Sequence, residues 1–292
     1  MASVSLVQGK LGGGKGKYTV MKIREYLLNG QRVATNMDLF LDKLLPPDNR
    51  MTVTRLPDKP TAEDLIAIGK GYEGRIGTGQ DGLLALDELG SWLNARSFQD
   101  KGRAGFLDWL IHARKYRWET MLLAQSIDMI DKQVRVSVCQ YIVSCTNMER
   151  VKIPVIGQFM GKKGTMPRFH IANTSLAEVP GIKIDSDWYR ADDLQDGYDT
   201  EQVFREWARN PSHPQFHEET FVGPFSYLSA WHLVGRHQTA PAKASTLLSR
   251  FFKTPEKKPL KPKHPLIEKL AKLPPDKAWH YARLLNNQGA FA

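Results

Sequence analysis

The chain has 292 residues, 41% of them hydrophobic, with seven Trp, two Cys and a formal net charge of +10. This length suits one large α/β domain with an appendage, or two modest domains, and the apolar content excludes a wholly disordered chain. No run approaches the ~20 consecutive apolar residues that span a bilayer, and no basic segment leads into a signal-type apolar core, so a soluble cytoplasmic protein is expected.

In chain order, Val4 to Gln8 is a short apolar run that ends in a glycine-rich turn, the pattern of a buried strand. Lys15 to Leu28 places Val20, Ile23, Leu27 and Leu28 at helical spacing, and Asn29 and Gly30 supply the stop. Arg32 to Asn36 and Met51 to Arg55 read as strands, and Thr61 to Asp64 as a capping-box helix start. Gly82 to Leu86 (GLLAL) is continuously apolar, as a central parallel strand requires. Phe106 to Tyr116 reads as a helix, Thr120 to Ala124 as a buried strand, Asp131 to Val138 as a helix and Tyr141 to Cys145 as a strand. Strands alternating with helices predict a three-layer sandwich around a mainly parallel sheet with right-handed crossovers.

The remaining segments are less informative. Asp185, Asp187, Asp192, Asp193, Asp196 and Asp199 make an acidic stretch, read as solvated surface rather than a metal site. Cys139 and Cys145 lie in apolar sequence and read as buried thiols. His213 and His217 are four apart, but Pro214 breaks the helix that a metal pair would need. From Pro241 onward the chain carries 11 Lys+Arg against 3 Asp+Glu, so most of the net positive charge is in the tail. Residues 253–266 are Pro–Lys-rich, as in an extended linker, and LIEKL and WHYARLL beyond them suit short amphipathic helices. The tail reads as a solvated arm with a docking helix, or as a contact for nucleic acid or an acidic partner. The expected division is an α/β domain over 1–180, an accessory subdomain over 181–240 and the basic tail over 241–292.

The chemistry concentrates at the first turn. GKLGGGKG fits the phosphate-binding pattern G-x-x-x-x-G-K-[ST] at Gly9, Gly14 and Lys15, with Gly16 in place of the hydroxyl residue. Small residues let backbone N–H groups point at phosphate oxygens, and the following helix adds its positive end. The expected nucleotide-binding set is Gly9, Lys10, Leu11, Gly12, Gly13, Gly14, Lys15, Gly16 and Lys17, with Lys15 as the cation on the β- and γ-phosphates. Gly16 cannot supply the hydroxyl that ordinarily ligates magnesium. Water, a greater reliance on Asp87, and Thr19 one turn further on are the substitutes.

LLALDE is a Walker B-like element in which a hydrophobic strand delivers Asp87 and Glu88 to the C-terminal edge of the sheet. Asp87 is the candidate metal ligand and Glu88 the candidate general base. Gln125 ends the next strand, where a polar residue can sense the γ-phosphate. Among Arg96, Arg103, Arg114 and Arg117, Arg114 is the chosen candidate for an arginine finger acting on a neighbouring subunit. The implied cofactors are ATP and Mg2+.

In these motifs the sequence resembles the zonula occludens toxin-like family of P-loop ATPases from filamentous phages and related mobile elements, allied to the FtsK–HerA DNA pumps. The resemblance covers roughly residues 1–200 and rests on GKLGGGKG, LALDELG at 84–90, HARKYRWETMLLAQS at 112–126 and GYDT at 197–200. It implies a ring-forming homo-oligomer that assembles virions or moves DNA, with phage DNA or capsid and assembly proteins as partners, in the host cytoplasm or associated with the virion. Family members of this type carry a membrane helix after the ATPase domain. Residues 225–235 (FSYLSAWHLVG) are too short for one, so a soluble packaging or assembly motor is expected. Two other readings stay open: a non-hydrolytic nucleotide-binding scaffold or switch, and a DNA-binding protein with a vestigial P-loop.

Overall fold

The computed structural model describes residues 2–75, 79–92, 101–127, 130, 135, 137–148, 169–179, 181–190, 194–204 and 224–237. The Asp131–Val138 helix, Arg96, the side chain of Arg103, Asp192, Asp193, the His213/His217 pair and the basic tail lie outside the described residues in whole or in large part.

The strands and helices follow in the order β1 (Val4–Gln8), α1 (Lys15–Leu28), β2 (Val33–Thr35), α2 (Leu41–Leu44), β3 (Val53–Arg55) and α3 (Ala62–Ala67). Then come β4 (Gly82–Leu86), α4 (Leu89–Trp92), α5 (Lys101–His112), β5 (Trp118–Ala124) and β6 (Tyr141–Asn147). The described part closes with β7 (His170–Leu176), β8 (Lys183–Tyr189), β9 (Phe225–Ser226) and α6 (Ala230–Leu233). Among the described residues nine strands form one sheet, in the order β8-β7-β6-β1-β5-β4-β2-β3-β9. The six from β6 to β3 are parallel. The outer strands β7, β8 and β9 join antiparallel. This is the expected three-layer α/β sandwich around a mainly parallel sheet. Its sheet draws on residues beyond 180, since β8 and β9 lie at its two ends.

Period-2 geometry divides each central strand between two cores. Leu83 and Ala85 of β4 pack with Val7 of β1 and Val20, Ile23 and Leu27 of α1. Leu84 and Leu86 face the other way, with Leu6 of β1, Leu65 of α3 and Phe106, Trp109 and Leu110 of α5. A strand covered on both faces must be apolar throughout, which is why GLLAL has no polar position.

Helix ends follow local chemistry. Gly30 takes φ +72, and its N–H and that of Gln31 close on Leu27 O and Tyr26 O, a Schellman stop for α1. Thr61 and Asp64 form a reciprocal capping box that starts α3. The helix expected over Phe106 to Tyr116 instead spans Lys101–His112. The chain turns over 113–117 because Arg117 adopts φ +62 and Trp118 N–H bonds to Ala113 O. That conformation costs roughly 1–2 kcal/mol for a residue with a Cβ. Arg117 is buried, ion-paired to Asp81, and stacked 5.2 Å over the Tyr72 ring.

Candidate functional site

The parallel strands bring their C-terminal ends to one edge, and the candidate residues follow from the register. Gln8 faces Ala124 of β5 and Ser144 of β6, so Gly9, Gln125 and Cys145 come next in line. Leu86 faces Leu122, so Asp87 and Glu88 emerge one strand away from the glycine loop, with β5 between.

The loop's glycines are demanded by space and by dihedral angle. A Cβ on Gly9 would lie 2.6 Å from the Cys145 carbonyl oxygen, and one on Gly13 would lie 2.8 Å from Lys10 O and 3.1 Å from Cys145 O. Gly12 and Gly14 have φ +71 and +97. The Gly13 N–H bonds to Lys10 O at 2.8 Å, closing the turn, and leaves Leu11 79% exposed at its tip, next to exposed Lys10. Gly14 caps α1 without a side chain, so the helix's first N–H groups meet no capping oxygen from that residue. Lys15 Nζ donates to Gly9 O at 2.8 Å, folding back over the loop. Lys17, half-buried, reaches Gln195 Oε1 at 3.5 Å.

Strands β7 and β8 wall the loop on the β6 side. Tyr189 donates its hydroxyl to Gly14 O at 3.0 Å and stacks on His170 at 5.3 Å. Beside them Tyr18 donates to Asp187 at 3.0 Å, and Lys22 pairs with the same carboxylate at 3.4 Å. Part of the acidic stretch is therefore tied to the first turns of α1, and Asp199 accepts from the Glu201 N–H at 2.8 Å. Among the described residues no group of three or more His, Cys, Asp or Glu could hold a metal. Gly14→Ala is expected to lower stability by more than the ~1–2 kcal/mol of a left-handed alanine, because the new methyl would overlap His170 and meet the Tyr189 hydroxyl at 2.8 Å. Urea melts of the two proteins check this; equal midpoints would contradict it.

Asp87 is held by its backbone. Its N–H donates to Asn36 Oδ1 at 2.7 Å, and Asn36 Nδ2 donates to Asp87 O at 3.1 Å and to Asp58 O at 2.9 Å. Asn36, fully buried at the end of β2, is a positioning residue that the sequence alone did not single out. The Glu88 N–H donates to Asp87 Oδ1 at 2.7 Å, and Glu88 takes φ +56. A non-glycine residue in that region marks strain of the kind that collects at functional turns. Burial pushes the Asp87 carboxyl above the ordinary carboxylate range; the Glu88 N–H bond opposes this, the Glu88 charge adds to it, and the Lys15 charge opposes it. The Lys15 cation is thus close enough to act on Asp87 across β5.

The other candidates are spread more widely. Gln125 is exposed at the end of β5, beside the loop. Arg114 is exposed in the turn before β5, at the opposite edge; seven residues of strand, roughly 20 Å, separate it from Gln125. It does not join the loop of its own chain. Arg117 is committed to Asp81. Thr19 is fully buried in α1. Cys139 and Cys145 are free buried thiols, pushed up by burial to about 12 and about 11. No helix among the described residues is long and apolar enough to cross a membrane.

The chain is 36% identical over 247 residues to the Gene 1 protein of Escherichia phage If1, covering 80% of this chain and 65% of that protein. It is 36% identical over 214 residues to the Gene 1 protein of Salmonella phage IKe, covering 69% of this chain and 57% of the relative. The chain thus spans less than two thirds of either relative's length. A solved structure of the N-terminal domain of zonular occludens toxin from Neisseria meningitidis aligns with TM-score 0.41 and 18% identity, over 68% of this chain and 100% of that one. The family model for zonular occludens toxin (Zot) matches residues 3–194, about two thirds of the sequence, including the glycine loop and the Asp87–Glu88 pair, and the chain belongs to that family.

Proposed function

We propose that the chain is an ATP-hydrolysing motor for phage assembly or DNA packaging, acting as a homo-oligomer. The observation that carries this reading is the joint placement of the glycine loop and the Asp87–Glu88 pair at one sheet edge, with the Lys15 charge acting on Asp87. The loop offers backbone N–H groups and the start of α1 to the phosphates, and Lys15 leaves Gly9 O to meet them. The related Gene 1 proteins come from phages, which directs the reading towards virion assembly.

The donor set suits magnesium: one half-buried carboxylate with little else, for an ion that keeps several waters and takes the rest of its shell from phosphate oxygens. Asp87 would hold it, and when bound it would neutralise charge developing on the phosphates. Glu88 stands next to that carboxylate as the base that takes the proton of the attacking water. Gln125, exposed at the end of β5, would hydrogen-bond the γ-phosphate or that water. Arg114, far from its own loop, serves only a neighbouring subunit's nucleotide.

The test is an ATPase assay on the full chain with and without single- and double-stranded DNA, paired with particle mass in a non-hydrolysable ATP analogue. Turnover stimulated by DNA and a mass of several chains are expected. The absent hydroxyl at Gly16 favours a second reading, a nucleotide-binding switch without hydrolysis. Tight ATP binding with no turnover under every condition would select the switch and reject the motor.

A further inference from the structure

Gly16 is the position where a P-loop ordinarily presents a hydroxyl to the magnesium. In this chain the space beside it is filled from a distant part of the sequence. A Cβ on Gly16 would lie 3.2 Å from Tyr198 Cε2 and 3.2 Å from its hydroxyl oxygen. A serine hydroxyl, one bond further out, would compete with the phenol oxygen for the same space. Tyr198 therefore places a hydroxyl where residue 16 has none.

Tyr198 is also fixed with respect to Asp87. It forms an antiparallel bridge with Leu39, flanked by the bonds Phe40 N–H to Gly197 O and Asp199 N–H to Asp38 O, both 2.9 Å. Gly197 lies flat against the Leu44 side chain of α2, where any Cβ would overlap it. Gln202 adds bonds to the Asp38 N–H and to Asn36 O, each 2.8 Å. The segment 36–40 thus carries both groups: Asn36 clamps the Asp87 backbone, and the next residues clamp Tyr198. Asp38 is itself anchored by Arg55 at 2.9 Å and the Tyr227 hydroxyl at 3.0 Å. The Asp87 charge reaches the phenol: burial and then that charge push the Tyr198 hydroxyl up to about 12, so it stays protonated, as a serine or threonine would.

We propose that the Tyr198 hydroxyl replaces the one Gly16 lacks, binding the water shell of the magnesium that Asp87 holds in the ATP complex. Tyr198 is then a positioning residue, and the glycine at 16 is matched to it rather than a defect. The proposal rests on the ATP-site reading above.

The discriminating variant is Tyr198→Phe, which keeps the ring against Gly16 and removes only the hydroxyl. Two quantities are read on the full chain without turnover: ATPγS affinity in EDTA by calorimetry, and the Mn2+ concentration that half-saturates the ATPγS complex by electron paramagnetic resonance. In Tyr198→Phe, the EDTA affinity is expected to match the parent. The half-saturating Mn2+ concentration is expected to rise about tenfold, the lower end of the effect of losing an outer-shell partner. Gly16→Ser added to Tyr198→Phe puts a hydroxyl back from the other side and is expected to restore the parent value. An unchanged Mn2+ requirement in Tyr198→Phe overturns the proposal while leaving the ATP site standing. So does an equal loss in EDTA, which makes the residue a nucleotide-packing group, or a double variant that stays weak. A parent that binds no ATPγS in either condition overturns the proposal and the ATP-site reading together.

Discussion

Glu88→Gln is expected to cut steady-state ATP hydrolysis by about 10²–10⁴-fold, the usual contribution of a positioned general base, with ATP affinity retained. The amide keeps the size of the side chain, and its backbone N–H still donates to Asp87 Oδ1. The strained φ of +56 is also unchanged, so the turn should survive. What disappears is the charge, and with it the ability to accept a proton from water. That same charge raises the Asp87 carboxyl, so its loss leaves Asp87 a better anion and does not weaken metal binding. Lys15→Ala is the contrasting control. It removes the cation whose charge acts on Asp87 and the tie to Gly9 O, and both binding and turnover should fall. A coupled ATPase assay and a fluorescent-ATP titration on each variant separate the two. Parental turnover in Glu88→Gln would place the base elsewhere.

The parts of this site that were legible in the sequence are those encoded locally. Val4–Gln8, Lys15–Leu28 and Gly82–Leu86 begin and end where apolar runs, helical spacing and a glycine stop put them. The placement of Asp87 and Glu88 at the edge follows from GLLAL being a strand. What was not legible depends on distant partners. HIANTSL and KIDSDWY are rich in Asn, Ser and Asp, which are depleted in strands. They form β7 and β8 because the β6 edge is available for pairing. The wall they make reaches the loop through Tyr189 and Gly14, 175 residues apart. Asn36 has no motif around it; its role comes from β2 lying next to β4. The end of α5 was misplaced because Arg117 turns left-handed in a setting, the Asp81 pair and the Tyr72 ring, that sequence spacing cannot reveal. Local pattern sets where the candidate residues fall along the chain, and tertiary contacts decide how they are held.

Asp87→Asn should separate stability from function most clearly. Burial, the largest influence on Asp87, works against its charged form, and the folded carboxyl therefore titrates above the unfolded one. Between those two values the native state holds a proton that the unfolded state has lost, so stability falls as pH rises through that window. Above the raised folded value, the chain carries the cost of a partly desolvated carboxylate. The asparagine variant has no such cost, and its amide oxygen can still accept the Glu88 N–H. Without nucleotide or metal it should melt at a higher temperature than the parent at neutral pH. The difference should shrink as the pH falls through the parent's window, where Asp87 is neutralised anyway. The same substitution removes the carboxylate proposed to hold the magnesium, an interaction worth several kcal/mol at a phosphoryl centre, so turnover should drop on the order of 10²-fold or more. Paired melts from pH 5 to 8, together with ATPase rates, test both halves. A parent more stable than Asp87→Asn at neutral pH would mean that the carboxylate is structural and is not held in tension for a cation.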